Sequence, residues 1–507
     1  MYARRHGRCA IAIALLLSPS FSTARAADQP QWAERHTRNM VSAETGLPAS
    51  FDPETGHNVK WTVDLGNHSY APAVIANGNV LLGANNIVPR DPRHKGDRGI
   101  LLCLDESDGS LRWQLVVPRL ADDKYKDWPM ISMSSPPTVE GDRVYTVTNR
   151  FEVVCLDLNG QANGNDGPWY DEGAHMVPAG EAPMPITPTD ADILWLLDMP
   201  AELGVYPHDS AYASILLDGP YLYLNTGNGV DNTHQVIRSP DAPSLIVLEK
   251  TTGRVVARDV EMMGPRTVHA TWSSPAIGAV DGKRLVFFGG GDGVCYAFEA
   301  LDPNAVPETI QPLNLVWRFD IDPDAPKENI HGYLNNREVS PSNIKGMPVF
   351  HQDRIYVAGG GDIWWGKQQS WLKCIDAAGK GDITSTGERW SYPMAHHCCS
   401  TPAIADGLLF ITDCAGLLHC LDAETGAPHW THKLKREIWG SPLVADGKVY
   451  VGSHGGDFVI LQAAPAKELL ATVQLDAPVA CTPVAANGVL YVTTLRTLYA
   501  LHAETTP

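Results

Sequence analysis

The sequence predicts an all-β protein, an eight-bladed β-propeller of four-stranded antiparallel blades whose ring is closed by an N-terminal strand. Three observations carry this. The segment CLDAETGAPHW (Cys420 to Trp430) recurs as CLDESDGSLRW (Cys103 to Trp113) and as FDPETGHNVKW (Phe51 to Trp61). The first of these stretches in chain order precedes any complete unit. The segment after Leu498 stops where its own copy should follow, so an N-terminal strand near residues 57–65 is expected to complete the last blade. Finally, eight openings of a small residue, mostly before proline, introduce the units, from Tyr70-Ala71-Pro72 through Ser400-Thr401-Pro402 and Gly440-Ser441-Pro442 to Cys481-Thr482-Pro483. The last three openings are spaced by about 40 residues, the length of one propeller blade.

Each element follows from its residues. After an opening comes a short apolar strand and a Gly or Asp turn. A second strand of β-branched and aromatic residues follows, such as Val80 to Leu82 or Leu408 to Thr412. Fourth strands carry a tryptophan at Trp61, Trp113, Trp195, Trp317, Trp390 and Trp430. One column of the third strands holds Cys103, Cys155, Cys374 and Cys420, which other units replace with Val247, Ala297, Ile460 and Ala500. A position open to Cys, Val, Ala or Ile is a small buried slot, so these four cysteines are expected to pack as hydrophobes. Early units are longer because they carry insertions, the largest from Asn159 to Asp190, and little helix is expected.

The chain has 507 residues, with 39 Lys and Arg against 58 Asp and Glu. Arg4, Arg5 and Arg8, the apolar run Cys9 to Leu17 and Ala24-Arg25-Ala26 read as a signal peptide over residues 1–26. An N-terminal extension (27–50) and a single propeller domain (51–507) are expected to follow. The acidic balance argues against nucleic acid or an anionic membrane surface as partner, and no apolar run is long enough to span a bilayer. A monomeric periplasmic or secreted protein is expected.

Loops leading into the inner strands and loops joining second to third strands should share one face and ring the channel mouth. The first set supplies Ser69, Met133, Ala211, Trp272, Lys345, Cys399, Trp439 and Ala480. The second set includes Asn149-Arg150, Gly227-Asn228-Gly229, Gly291-Asp292, Gly361-Asp362, Asp413-Cys414 and Ser453-His454. Polar and aromatic groups converging on a concavity suit a ligand site. The Trp364-Trp365 insertion is placed to cover the mouth. Cys398 and Cys399, with Cys414 on the next loop, admit a disulfide, unpaired packing, or metal binding with His396 or His397.

The unit G-x-[VL]-x-[CA]-L-D-x-x-T-G-x-x-x-W resembles the pyrroloquinoline quinone (PQQ) repeat. That repeat builds the propellers of quinoprotein alcohol dehydrogenases and of an outer-membrane protein assembly factor. The resemblance implies PQQ and calcium as candidate cofactors. Asn228, in Thr226-Gly227-Asn228, matches the dehydrogenases' calcium-binding Asn. Glu152 lies in a loop comparable to that of their acidic ligand, and Trp272 or Trp439 would stack on a quinone. Where those enzymes carry Trp-Asp with a catalytic carboxylate, this chain has Trp272-Ser273. A serine does not accept the hydroxyl proton unaided, so Asp231, His269 or Asp292 would have to replace it. No C-x-x-C-H occurs, so no covalently bound haem is expected. The reading is therefore a scaffold binding a protein, small molecule or glycan at the channel mouth. The alternatives are a PQQ- and calcium-dependent oxidoreductase, and a carbohydrate-active enzyme using His208-Asp209, Asp231, His234, His269, His396 and His397.

Overall fold

In a computed structural model that describes residues 27–120, 126–131 and 133–504, the strands form eight sheets arranged as the blades of one propeller. The expected signal peptide lies outside the described residues. Blade 1 runs Val74–Ala76, Asn79–Asn85, Arg98–Asp105 and Leu111–Pro118 from channel to rim. Blade 8 is completed by Val59–Asp64, which pairs antiparallel with Thr497–Leu501, Trp61 opposite Ala500. The ring thus closes as the repeat implies, with no open sheet edge at the seam.

Inner strands and their neighbours are buried on both sides, whereas the outer strands Val59–Asp64 and Pro428–Lys433 alternate half-buried and exposed. That alternation is the mark of a rim strand with one face to solvent. Three short additions depart from the all-antiparallel expectation: Val41–Ser42, Gln311–Pro312 and Gly381–Asp382 each pair in parallel with a blade. Helix is confined to short turns such as Glu172–His175 and Met199–Leu203 in insertions.

The T-G-x-x-x-W signature is a latch between blades. Each rim tryptophan donates its indole N–H to a carbonyl of the next blade: Trp61 to Glu106 (3.1 Å), Trp113 to Leu158 (2.8 Å), Trp317 to Ala377 (2.8 Å) and Trp430 to Ala464 (3.0 Å). The neighbouring turn must then lack a side chain. Gly426, at φ 71°, would place a Cβ 2.5 Å from the Trp390 ring, and no other residue tolerates both demands. The third-strand cysteines sit directly opposite these tryptophans, Cys103 against Trp113 and Cys420 against Trp430, buried and free. Burial pushes the Cys103 and Cys155 thiols up to about 12, which keeps them inert as expected.

The N-terminal extension does something the repeat does not foretell. It crosses the channel at the end opposite the mouth and bonds all eight blades at or beside their inner strands. Gln29 bridges Ile75, Pro30 accepts from Val139, and the Arg38 guanidinium donates to Ser214 and Pro275. His36 and Thr37 accept from Ile277 and Phe350, Asn39 pairs with Ile404, Met40 accepts from Val444, and Ser42 donates to Ala485. Every blade therefore contributes backbone groups to a plug, and the channel is closed at that end.

Candidate functional site

Between the plug and the mouth lies a cavity of about 550 Å3. Trp32 of the plug lines its floor. Tyr70, Tyr212, Trp272, Trp439, Cys399 and Lys345 come from the loops leading into the inner strands, and Trp364 and Trp365 form the roof. The wall is aromatic because those eight loops converge at the same radius. Tyr70 and Trp439 stack at 6.5 Å, Tyr212 and Trp272 meet edge to face at 5.9 Å, and Trp364 reaches Trp439 at 6.1 Å. Indole Nε1 of Trp272, Trp365 and Trp439 is buried without a hydrogen-bond acceptor among the described residues.

Asp362 organises one side of this chamber. It is fully buried and accepts from Asn343 Nδ2 (3.0 Å), from the backbone N–H of Trp364 (3.0 Å) and Trp365 (3.1 Å), and from His269 Nδ1 (3.2 Å). Lys345 Nζ lies 3.0 Å from the same carboxylate and 3.9 Å over the Trp272 ring. Burial alone would raise the Asp362 carboxyl, but the Lys345 ammonium and His269 hold it well below the usual carboxylate range. One carboxylate thus sets the roof, the orientation of His269 and the position of the cavity's ammonium.

Facing it is a cluster of histidines from two blades. Their rings lie 4.8 Å (His208 to His234), 4.7 Å (His208 to His269) and 5.4 Å (His234 to His269) apart. The Thr226-Gly227-Asn228-Gly229 segment is the spine that assembles them. Asn228 Oδ1 accepts from Tyr206 N (2.9 Å), its Nδ2 donates to Ser239 O (3.0 Å), and Gly229 bridges Ala270. A Cβ on Gly229 would stand 2.5 Å from the His269 carbonyl and 3.0 Å from His208 Cβ, so glycine is what lets the two histidine loops approach. Val230 then receives His208 Nδ1–H at 2.7 Å and donates its N–H to His269 O at 2.8 Å. Desolvation pushes His208 down to about 2 and His234 to about 4, so both imidazoles are neutral at ordinary pH.

Trp272, Trp439, His269 and Cys399 line the cavity, as do Asp209 and His234. Asn228 and Glu152, placed as calcium ligands by resemblance, do not. Asn228 spends its amide on the spine, while Glu152 is buried against Thr148 and His175 (2.9 Å), which hold it ionised although burial opposes this. Asp231 is tied to Thr233 and Arg238 (3.2 Å), and Asp292 to Arg266 and Tyr296 (2.7 Å). Neither faces the cavity, so both leave the set of proton acceptors for a substrate there. Cys398 is buried in blade 6 and its thiol donates to Thr412 O, whereas the Cys399 and Cys414 thiols neighbour each other. All three are free. His396 does not line the cavity, nor does His397, whose Nε2 is buried without a hydrogen bond among the described residues.

Comparison with known proteins agrees with the repeat. The sequence profile of the outer membrane protein assembly factor BamB matches residues 16–198 and 368–469. The chain belongs to this family. BamB from Moraxella catarrhalis superposes with a TM-score of 0.54 at 14% identity, covering 87% of this chain and 98% of that one. The computationally designed Ika8 protein superposes at 0.51 and 10% identity, covering 88% and 99%. A quinohemoprotein alcohol dehydrogenase from Comamonas testosteroni is 26% identical over 108 residues, 19% of this chain and 15% of that protein's length. The match therefore spans a small part of that enzyme. No helix among the described residues is long and apolar enough to cross a membrane.

Proposed function

We propose that this exported propeller holds a small, flat, oxygen-rich molecule inside its central channel. The observation that carries the reading is the chamber of about 550 Å3, floored by the plug and partly covered by Trp364 and Trp365. A scaffold that docks proteins at the mouth has no use for a plugged, aromatic-walled interior; docking as in an assembly factor would have to use other surfaces. The chamber's chemistry narrows the ligand. Trp272 and Trp439 offer apolar faces, while the spare indole N–H groups and the Lys345 ammonium ask for carbonyl or carboxylate oxygens. A quinone such as PQQ fits that description, and so do smaller aromatic acids.

A second reading, a quinoprotein-type oxidoreductase, is favoured by the His269–Asp362 pair, since it supplies an oriented imidazole where Trp272-Ser273 lacks a carboxylate. Tryptophan fluorescence titration with PQQ tests both. The expected result is saturable quenching that Lys345→Met weakens at least tenfold and that Glu152→Gln, away from the cavity, leaves within threefold. Quenching lost with Glu152→Gln and kept with Lys345→Met would return the site to the side of Asn228 and Glu152. No saturation by PQQ or by an aromatic carboxylate would remove the ligand-binding reading.

A further inference from the structure

We propose that His208, His234 and His269, with Asp209 beside them, form a binding site for one divalent transition-metal ion of the zinc class, opening onto the channel cavity. The three imidazoles each place a nitrogen within 4.8 Å of the other two, and all three residues are buried. That is the spacing of ligands around a common centre, since ligand nitrogens about 2.0–2.1 Å from an ion lie some 3–4 Å apart.

The tautomers of His208 and His269 are set for coordination. His208 Nδ1 faces the Val230 carbonyl at 2.7 Å. A carbonyl only accepts, so Nδ1 carries the proton and Nε2 the lone pair. His269 Nδ1 faces the Asp362 carboxylate at 3.2 Å, which leaves its lone pair on Nε2, an atom with no hydrogen bond among the described residues. A carbonyl or carboxylate behind each ligating imidazole is the arrangement that orients metal-bound histidines. Asp209 supplies the remaining argument. Its Oδ1 stands 3.4 Å from His208 Nε2 and its Oδ2 3.7 Å from His269 Nε2. Two lone pairs facing one carboxylate repel unless a cation or a proton lies among them.

Asp209, His234 and His269 line the cavity and His208 does not, so an ion would be anchored from behind and open towards a bound molecule. The ring of Trp365 lies 4.6 Å from His234 and that of Trp364 5.3 Å from His269, which roofs the open side. Three imidazoles select a borderline ion over calcium or magnesium, which take oxygen ligands. The other close grouping, Asp91, His94 and Asp190, differs because the Arg93 guanidinium already bonds both carboxylates. The inference goes beyond ligand binding and survives its failure, because the ion is read on the protein alone. An ion on His269 Nε2 also takes the lone pair that the oxidoreductase reading needs for a proton.

The test uses tag-free full-length protein, freed of metal with a chelator and titrated with Zn2+ against a chromophoric competitor, then with Co2+ by visible absorption. One ion per chain is expected, with a Co2+ spectrum of low coordination number. His234→Ala and His269→Gln should each weaken Zn2+ at least 100-fold, and Asp362→Asn some 10- to 100-fold. His234 is the safer substitution should the others fail to fold, and thermal unfolding of the metal-free variants identifies such failures. Wild-type protein that binds neither ion below 100 µM overturns the proposal in favour of a proton shared with Asp209. Unchanged affinity in folded His234→Ala overturns it as well.

Discussion

Arg38 is the most revealing single position in the plug. It is completely buried, and its guanidinium donates to Pro275 O (2.8 Å), Trp32 O (3.1 Å), Ser214 Oγ (3.1 Å) and Ser214 O (2.8 Å). All four partners are neutral oxygens, so carbonyl dipoles alone stabilise the charge, and burial pushes its pKa down to about 9. Hydrogen bonds from a charged donor contribute about 1.5–3 kcal/mol each. Against four of them stands a desolvation penalty of several kcal/mol for the guanidinium. Arg38→Met recovers that penalty, but it strands three carbonyls, two of them buried, and removes the plug's bonds to Ser214 and Pro275. The net loss should be about 3–5 kcal/mol, read by urea denaturation with an unchanged m-value. Acrylamide quenching of cavity tryptophans should rise in the same variant, because Trp32 loses its tether. A loss under about 1 kcal/mol with unaltered quenching would refute the claim that this arginine locks the channel floor.

Further predictions follow from the same contacts. Trp113→Phe removes the bond to Leu158 O and leaves that carbonyl buried, which should cost about 1–3 kcal/mol in urea denaturation. Replacing both Trp364 and Trp365 with Ala should speed ligand release by tenfold or more in stopped-flow fluorescence, with global stability little changed, since Trp364 is 40% exposed. Burial raises the Asp127 carboxyl from 3.8 to about 6. The unfolded chain gives up that proton first, so stability is complete below about pH 4 and declines as pH rises to about 6. Asp127→Asn should leave the protein unchanged at pH 4 and stabilise it by about 2–3 kcal/mol at pH 7. Mild oxidation should remove two hydrogens from Cys399 and Cys414 and join them, a product that peptide mass spectrometry resolves from any pairing of buried Cys398.

What was legible in the sequence was whatever repeats. Blade number, ring closure, the fourth-strand tryptophans and the cysteine column were legible from the repeat, because each blade solves the same packing problem. Column reading also placed Trp272, Trp439, Lys345, Cys399 and the Trp364-Trp365 insertion on the correct face. The plug has no period: its bonds run between a single irregular strand and backbone groups hundreds of residues away, as with Asn39 and Ile404. Asp362 was present only as one turn residue among several, and its role depends on five donors from three separate segments. Asn228 shows the opposite hazard. Its local motif matches a metal ligand, yet both ends of its amide close a loop, and the residues that the loop gathers are histidines 208, 234 and 269. Spacing along the chain does not reveal such a triad, because separate loops must fold against one another first.

The central claim is that the plugged channel is a chamber for a small ligand. A crystal structure of the protein grown with PQQ tests it most directly. Density is expected inside the cavity, flat against Trp272 or Trp439, with oxygens on Lys345 and on indole N–H groups. Density confined to the outer surface, or held by Asn228 and Glu152 away from Lys345, would contradict it.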